Sequence, residues 1–305
     1  MNFIDCTWDQ FKRTVAKQIQ AGDKRFIYRG QSNSSWKLKT GIHRTGQWRT
    51  PEDIRLYVEK VVPIAHQSIA AWEGRTRDLS NPLELAQFIA YLQHNGFPTP
   101  LLDWTFSPYI AAYFAFEGVN HFEPQCNHVC IYAFDAQRWG DTVEQSYNYT
   151  DLNMHVSVLE PSFIGNPKQM LQQGIFLYTN LEDVERHIET NQNGREPFLY
   201  KYRLSCRERV AVLRELRLMN ITAMHLSPCL ESVCKKVATD ISLCFPVGKS
   251  RADLNMELLE SFLNRPGQPM QEELLATSSF PRPLPGATEV ANPLPGFRLA
   301  GGQKQ

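Results

Sequence analysis

The sequence predicts an α+β protein in which helices flank a mixed β-sheet. Apolar residues at helical spacing alternate irregularly with short apolar runs that have the length and residue types of strands. This order differs from the regular strand–helix–strand rhythm of a doubly wound fold, and the sequence contains no glycine-rich phosphate loop. Hydrophobic residues make up 42% of the 305 residues and charged residues 21%, so the chain can bury a core.

The first half of the chain combines several helices with one short strand. Thr7 is a candidate N-cap for the first helix, and Asn95-Gly96 is a stop signal for a later one. Residues 31–50 are polar and irregular. The predicted elements are a helix over 7–22, a strand over Phe26–Tyr28 that breaks at Arg29-Gly30, a helix from Thr50-Pro51 onward, a helix over about 81–95 and a small-residue helix over Tyr109–Glu117.

The second half contains most of the predicted strands. We expect residues 1–250 to form one domain, followed by a helical segment over 251–277 and a proline-rich tail over 278–305. The tail is predicted to be flexible, and a role as a peptide ligand for a partner protein is the alternative. The predicted elements are strands over 129–134, 156–159, 174–178 and 198–202, and helices over 181–189, 207–219 and 227–240.

Charge and cysteine content limit the function classes. Basic and acidic residues number 32 each, so a nucleic-acid contact requires a local basic patch. The seven cysteines have irregular spacing, and the first residues lack a secretory signal, which predicts a cytoplasmic protein with reduced thiols. No apolar run approaches the ~20 residues that cross a bilayer. Cys126, His128 and Cys130 lack a second ligand cluster, so no metal is expected.

Three short segments place polar side chains beside apolar strand residues. In Tyr28-Arg29-Gly30-Gln31, the planar arginine suits a phosphate or carboxylate, and the glycine leaves the backbone open to a ligand. The alternative is an arginine paired with an internal acid. In Leu101–Thr105, Asp103 lies between apolar residues, so it must be paired or face a cavity.

The remaining alternatives at these segments are structural. Asp103, Thr105 or Ser107 can cap the helix that starts near Pro108, and Trp104 taken alone favours packing. The third segment, Gln172-Gln173-Gly174, leads directly into a strand, and a simple turn also explains it.

Together these segments resemble the FRG-domain family. The resemblance rests on Phe26–Gln31, on Trp36 and Arg44, on Gln93–Thr105 with its Leu-Leu-Asp-Trp-Thr element, and on the helix with Ala111, Ala112 and Ala115. Later segments around Asn166-Pro167-Lys168, Gln172–Phe176 and 210–238 extend it, so that it covers roughly residues 20–245. Pro100 and Lys168 depart from the basic residue and the arginine that the family has at these places.

The order of elements is also similar, more distantly, to that of the ADP-ribosyltransferase fold. That resemblance implies NAD as a substrate, with Arg29 on the pyrophosphate, and with Gly30, Gln31 and Trp104 completing the cofactor site. Thr105 and Asp103 would fix the ribose or brace the arginine. Gln172 would occupy the place of a catalytic glutamate, although it carries no charge.

The family resemblance implies a bacterial or phage-associated protein. One hypothesis is an NAD-using, ADP-ribosyltransferase-like effector that acts as a toxin or in phage defence. The alternative is a non-catalytic module that recognises a nucleotide, a nucleic acid or a protein. Fold-level similarity alone does not decide between them, so enzymatic activity stays open.

Overall fold

The computed structural model describes residues 3–20, 26–119, 127–160, 167–192 and 196–244. The chain divides into two units, Met1–Gly248 and Lys249–Gln305, and every described residue belongs to the first. The predicted helical segment 251–277 and the proline-rich tail 278–305 therefore lie outside the described residues.

A mixed sheet of seven strands organises the part of the chain that the structure describes, in the order β1-β7-β4-β2-β3-β6-β5. β1 runs parallel to β7, and all other neighbouring pairs are antiparallel. This arrangement confirms the predicted α+β class with a mixed sheet. The strands are β1 (Phe3–Asp5), β2 (Phe26–Gln31), β3 (Leu101–Thr105), β4 (His128–Asp135), β5 (Val156–Leu159), β6 (Gly174–Thr179) and β7 (Leu199–Ser205).

Helices cover the sheet and connect its strands. A π-helical segment, Tyr57–Val61, joins α3 to α4, and a 3₁₀ turn, Cys206–Glu208, precedes α10. The α-helices are α1 (Trp8–Gln20), α2 (Gly41–Arg44), α3 (Pro51–Leu56), α4 (Val62–Glu73), α5 (Pro82–His94), α6 (Pro108–Glu117), α7 (Ala136–Thr142), α8 (Pro167–Leu171), α9 (Val184–Thr190), α10 (Arg209–Leu218), α11 (Ala223–Leu226) and α12 (Leu230–Cys244).

Local capping explains several helix ends. Thr7 Oγ1 accepts a hydrogen bond from the Gln10 amide at 3.3 Å, as expected for an N-cap. Ser107, one of three candidates from the sequence, caps α6 by accepting from the Ile110 amide at 3.3 Å. Gly96 follows α5 with φ +81°, a left-handed conformation in which glycine has no steric cost.

The structure corrects two predicted boundaries. The strand predicted to break at Arg29 continues to Gln31, because Arg29 and Gly30 pair with Tyr132 and Ile131 of β4. Residues 31–50 are not wholly irregular, since α2 forms there behind a Thr40 cap. Within the described residues, no helix is both long enough and apolar enough to cross a membrane.

Three apolar clusters lie against the sheet. The first packs α1, α6 and α10 on one face of the β4 and β7 half, and the third packs α3 and α5 on one face of the β3 and β6 half. The second draws residues from both halves, including Ile27, Trp104, Tyr132 and Leu177. The two half-sheets, β1-β7-β4-β2 and β3-β6-β5, therefore share one core and carry separate helical layers on their other faces.

Candidate functional site

Arg29 lies where the two half-sheets separate. β2 pairs with β4 along its whole length, and β3 pairs with β6 along its whole length. β2 and β3 share a single registered pair, Tyr28 with Thr105. Arg29 is the next residue of β2, where the registered pairing with β3 ends. The candidate site is built around this residue.

Asp103 braces Arg29 from the opposite strand. Arg29 Nη1 donates a hydrogen bond to the main-chain oxygen of Asp103 and lies 3.9 Å from Asp103 Oδ2. The side chain of Arg29 is 15% exposed and that of Asp103 is 52% exposed. The Arg29 Nε–H is buried without a hydrogen-bond partner. A guanidinium with an unused buried donor is incompletely satisfied, which costs free energy. A ligand can reach the part of the Arg29 side chain that is exposed.

The end of α5 holds the carboxylate in place. Gln93 Nε2 donates to Asp103 Oδ2 at 2.9 Å, and Gln93 Oε1 accepts from the hydroxyl of the buried Thr99. The chain leaves α5 at Asn95-Gly96, and Gln93 near the end of that helix reaches Asp103 of β3. Sequence reasoning included Gln93 in the family resemblance but gave it no role, because spacing alone does not show this contact.

The charges around this group are mostly positive. Burial lowers the pKa of Arg29; the Asp103 charge opposes that shift, and the nearby Arg44 adds to it. Burial also lowers the pKa of His94, with Asp103 opposing and Lys168 adding. Arg29, Arg44 and Lys168 thus contribute three positive charges to this region and Asp103 one negative charge. His94 Nε2 is a further buried atom without a partner. This arrangement favours an anionic ligand.

Thr105 and Gln172 meet at the far end of β3. The Thr105 hydroxyl donates to the main-chain oxygen of Gln172 at 2.7 Å and accepts from the Ser107 amide at 3.0 Å. The Gln172 side chain donates to the Leu226 carbonyl at 3.1 Å. The structure thus brings the two residues together, but their contacts hold the turn between α8 and β6 against the start of α6.

One comparison with known families matches part of the chain. Residues 24–124 match the FRG domain family. The chain carries an FRG domain. Arg29, Gln93 and Asp103 lie within the matched part of this FRG domain, and Lys168 and Gln172 lie beyond it. A search of curated proteins and a search of solved structures each found no match.

Gly30 of the FRG domain serves helix packing. A Cβ atom at this position would overlap the main-chain oxygen of Ala111 and lie 2.6 Å from the Ala115 amide nitrogen. The close approach that the structure shows at Gly30 is made by α6, and the approach of a ligand to this backbone stays a prediction. Small residues on α6 allow this contact, which is why alanines recur there.

Trp104 and Gln31, the other two residues predicted to contact the cofactor, are both buried in the FRG domain. Trp104 is 3% exposed and packs with its ring centroid 5.9 Å from that of Phe134. Its contact with a cofactor stays a prediction. Gln31 is 8% exposed; its Nε2 donates to the Lys37 carbonyl at 3.4 Å, and its Oε1 is buried without a partner.

Among the described residues, no group of three His, Cys, Asp or Glu side chains is placed to hold a metal ion.

Proposed function

We propose that this FRG domain binds a phosphate-bearing nucleotide of the NAD class at Arg29. The observation that carries the proposal is the buried guanidinium whose Nε–H has no partner and whose nearest carboxylate oxygen is 3.9 Å away. A planar guanidinium matches two phosphate oxygens better than a lysine does, and the bond gains strength away from water.

The surrounding charges support a ligand with more than one negative charge. Arg44 acts on Arg29, and Lys168 acts on His94, so the region around Arg29 and His94 holds more than one cation. A pyrophosphate carries two charges and can face two of these cations at once. The sequence as a whole has no basic excess, which makes this local patch the feature that selects an anion.

ADP-ribosyl transfer from NAD is the second candidate, and the half-exposed Asp103 carboxylate favours it. In that reaction the bond from ribose C1′ to the nicotinamide nitrogen breaks, and nicotinamide leaves with the electron pair. An acceptor atom then bonds to C1′ and loses its proton. A carboxylate near C1′ stabilises the positive charge that develops on the ribose. Gln172 cannot do so, and Asp103 is the candidate for this role. The toxin and phage-defence roles stay predictions.

Thermal and urea denaturation with NAD and with ADP-ribose test the binding proposal. Ligand at about 100 times its dissociation constant should raise the free energy of unfolding by about 2.7 kcal/mol. Arg29→Ala should lose this gain. The matched control is Arg217→Ala, which removes an exposed arginine that pairs with Asp240 on another face of the domain. Ligand stabilisation that survives Arg29→Ala would overturn the proposal.

Nicotinamide release separates the two candidates. Asp103→Asn keeps the shape of the side chain and the oxygen that Gln93 bonds, so ligand stabilisation should persist. If the domain is a transferase, the native protein releases nicotinamide from NAD and Asp103→Asn loses at least ~100-fold in rate. Stabilisation by NAD without any nicotinamide release supports the recognition module.

A further inference from the structure

Gln93 holds one oxygen of the Asp103 carboxylate in place. Its Nε2 donates to Asp103 Oδ2 at 2.9 Å and lies 3.4 Å from the main-chain oxygen of Leu101. Its Oε1 accepts from the hydroxyl of the buried Thr99. The Thr99 hydroxyl oxygen in turn accepts from the Leu101 amide at 3.3 Å. Both ends of the Gln93 amide are therefore bonded, so the side chain has a defined position.

The partners of Gln93 Nε2 define which way the amide faces. An ionised carboxylate and a main-chain carbonyl are acceptors only, so each requires a hydrogen from the nitrogen end of the amide. If the amide were turned around, its oxygen would face both of these oxygens, and both contacts would be lost. The donor end of Gln93 therefore faces Asp103, whose side chain is 52% exposed.

Asp103 lies close to Arg29 without a hydrogen bond between the two charged groups. Asp103 Oδ2 is 3.9 Å from Arg29 Nη1, which exceeds the length of a hydrogen bond. Arg29 Nη1 instead donates to the main-chain oxygen of the same residue. Guanidinium–carboxylate pairs usually close to about 2.7–2.9 Å, often through two parallel bonds. The half-exposed carboxylate is free to turn toward Arg29 except for the bond that Gln93 makes to its Oδ2.

We propose that Gln93 is a positioning residue that keeps the Asp103 carboxylate off Arg29 and so leaves the guanidinium available to an anionic ligand. The inference rests on the nucleotide site proposed at Arg29. A carboxylate and a phosphate use the same N–H donors, so a closed pair between Arg29 and Asp103 competes with the ligand. The competing carboxylate belongs to the same chain, which gives it a high effective concentration. A donor that engages Oδ2 elsewhere weakens this competitor.

Crystal structures of the ligand-free native and Gln93→Met proteins test the position of Asp103 directly. Methionine has nearly the length of glutamine but no hydrogen-bond donor. In the variant, a carboxylate oxygen of Asp103 should move from 3.9 Å to about 2.7–2.9 Å from a guanidinium nitrogen of Arg29. A carboxylate that keeps its native distance from Arg29 would overturn the inference.

Calorimetric titration with NAD tests the consequence for the ligand. Full-length Gln93→Met should bind NAD about two- to fivefold more weakly than the native protein, the range expected for a competing, partly exposed ion pair. Adding Asp103→Asn to Gln93→Met should recover this loss, because a neutral amide is a weaker partner for Arg29. The same Asp103→Asn change in the native background should raise the affinity by a smaller factor, since Gln93 already restrains the carboxylate.

The recovery distinguishes positioning from a purely structural role. If Gln93→Met weakened binding by disturbing the fold, a second change at Asp103 would not restore it, and that result contradicts the inference. Gln67→Met, at an exposed glutamine of α4, is the matched control and should bind NAD as the native protein does. Thermal unfolding of each variant checks the fold. If the native protein does not bind NAD, the nucleotide proposal fails, whereas the crystal structures still decide whether Gln93 restrains Asp103.

Discussion

Glu185 and Lys201 form the most enclosed ion pair that bears on the candidate site. Their side chains are 12% and 10% exposed. Glu185 also accepts from the Leu38 amide at 2.9 Å and from the Tyr132 hydroxyl at 3.2 Å. Tyr132 is the β4 partner of Arg29. The pair therefore anchors the strand beside the site, and each charge depends on the other.

Glu185→Ala should lower the free energy of unfolding by about 3–5 kcal/mol, because Lys201 would remain buried without its partner. Urea denaturation measures the change. The control is Glu182→Ala, which removes a pair with Lys39 whose side chains are 35% and 37% exposed and should cost at most about 1 kcal/mol.

The loss in the free energy of unfolding should be smaller when both charges of the pair are removed. Lys201→Met in the Glu185→Ala background should recover a large part of the lost stability, because the uncompensated ammonium is gone. Equal losses for Glu185→Ala and Glu182→Ala would show that the pair contributes no more than a surface pair.

Residue types indicated the candidate site only in part. Arg29 and Asp103 stand out in the sequence because charged side chains interrupt apolar runs, and the structure brings these two together. Gln93 and His94 do not stand out, since amides and histidines are ordinary in the last turn of a helix. Their role follows from the path of the chain after Gly96, which propensities do not locate in space.

At the scale of elements, α6 and β2 are in backbone contact at Gly30. A Cβ atom there would meet the main chain of Ala111 and Ala115, which cannot rotate away as a side chain can. Gly30→Ala should therefore destabilise the protein by about 3 kcal/mol or more, or prevent folding. Circular dichroism and urea denaturation measure the effect.

Gly140 provides the matched control for Gly30. It lies within α7, and a Cβ atom there would meet nothing within 4 Å. Gly140→Ala should raise the free energy of unfolding by about 0.5–1 kcal/mol, because alanine has the higher helix propensity. A Gly30→Ala protein as stable as the native one would show that α6 can move away from β2.

Helices with clear signals were easier to predict than short elements. α1, α5 and α6 begin within one or two residues of the predicted starts, since Thr7, Asn81 and Ser107 are strong N-caps. β1 and α2 carry no comparable pattern, because three or four residues are too few to show a period. β1 exists because β7 offers it a parallel partner.

At the scale of the whole molecule, buried histidines link stability to pH. His43 and His155 are 1% and 5% exposed, and burial lowers the pKa of each from 6.5 to about 4. The unfolded chain therefore binds more protons than the folded one between pH 6.5 and about 4. The stabilisation is complete above 6.5 and is lost as the pH falls through this window.

For each of these two histidines, the free energy of unfolding should be about 3 kcal/mol lower at about pH 4 than at pH 7. Urea denaturation near pH 7 and near pH 4.5 should show the fall. His43→Gln and His155→Phe should each make the pH dependence shallower by about one proton. Equal stability at the two pH values would contradict the burial of both rings.

The single pair between Tyr28 and Thr105 has a consequence for how the domain moves. Within each half-sheet, neighbouring strands are paired along most of their length. Between β2 and β3 there is one registered pair. Arg29 belongs to β2 and Asp103 to β3, so the two residues lie in different half-sheets. We expect a phosphate bound at Arg29, as proposed, to contact residues of both strands and so to oppose separation of the two half-sheets.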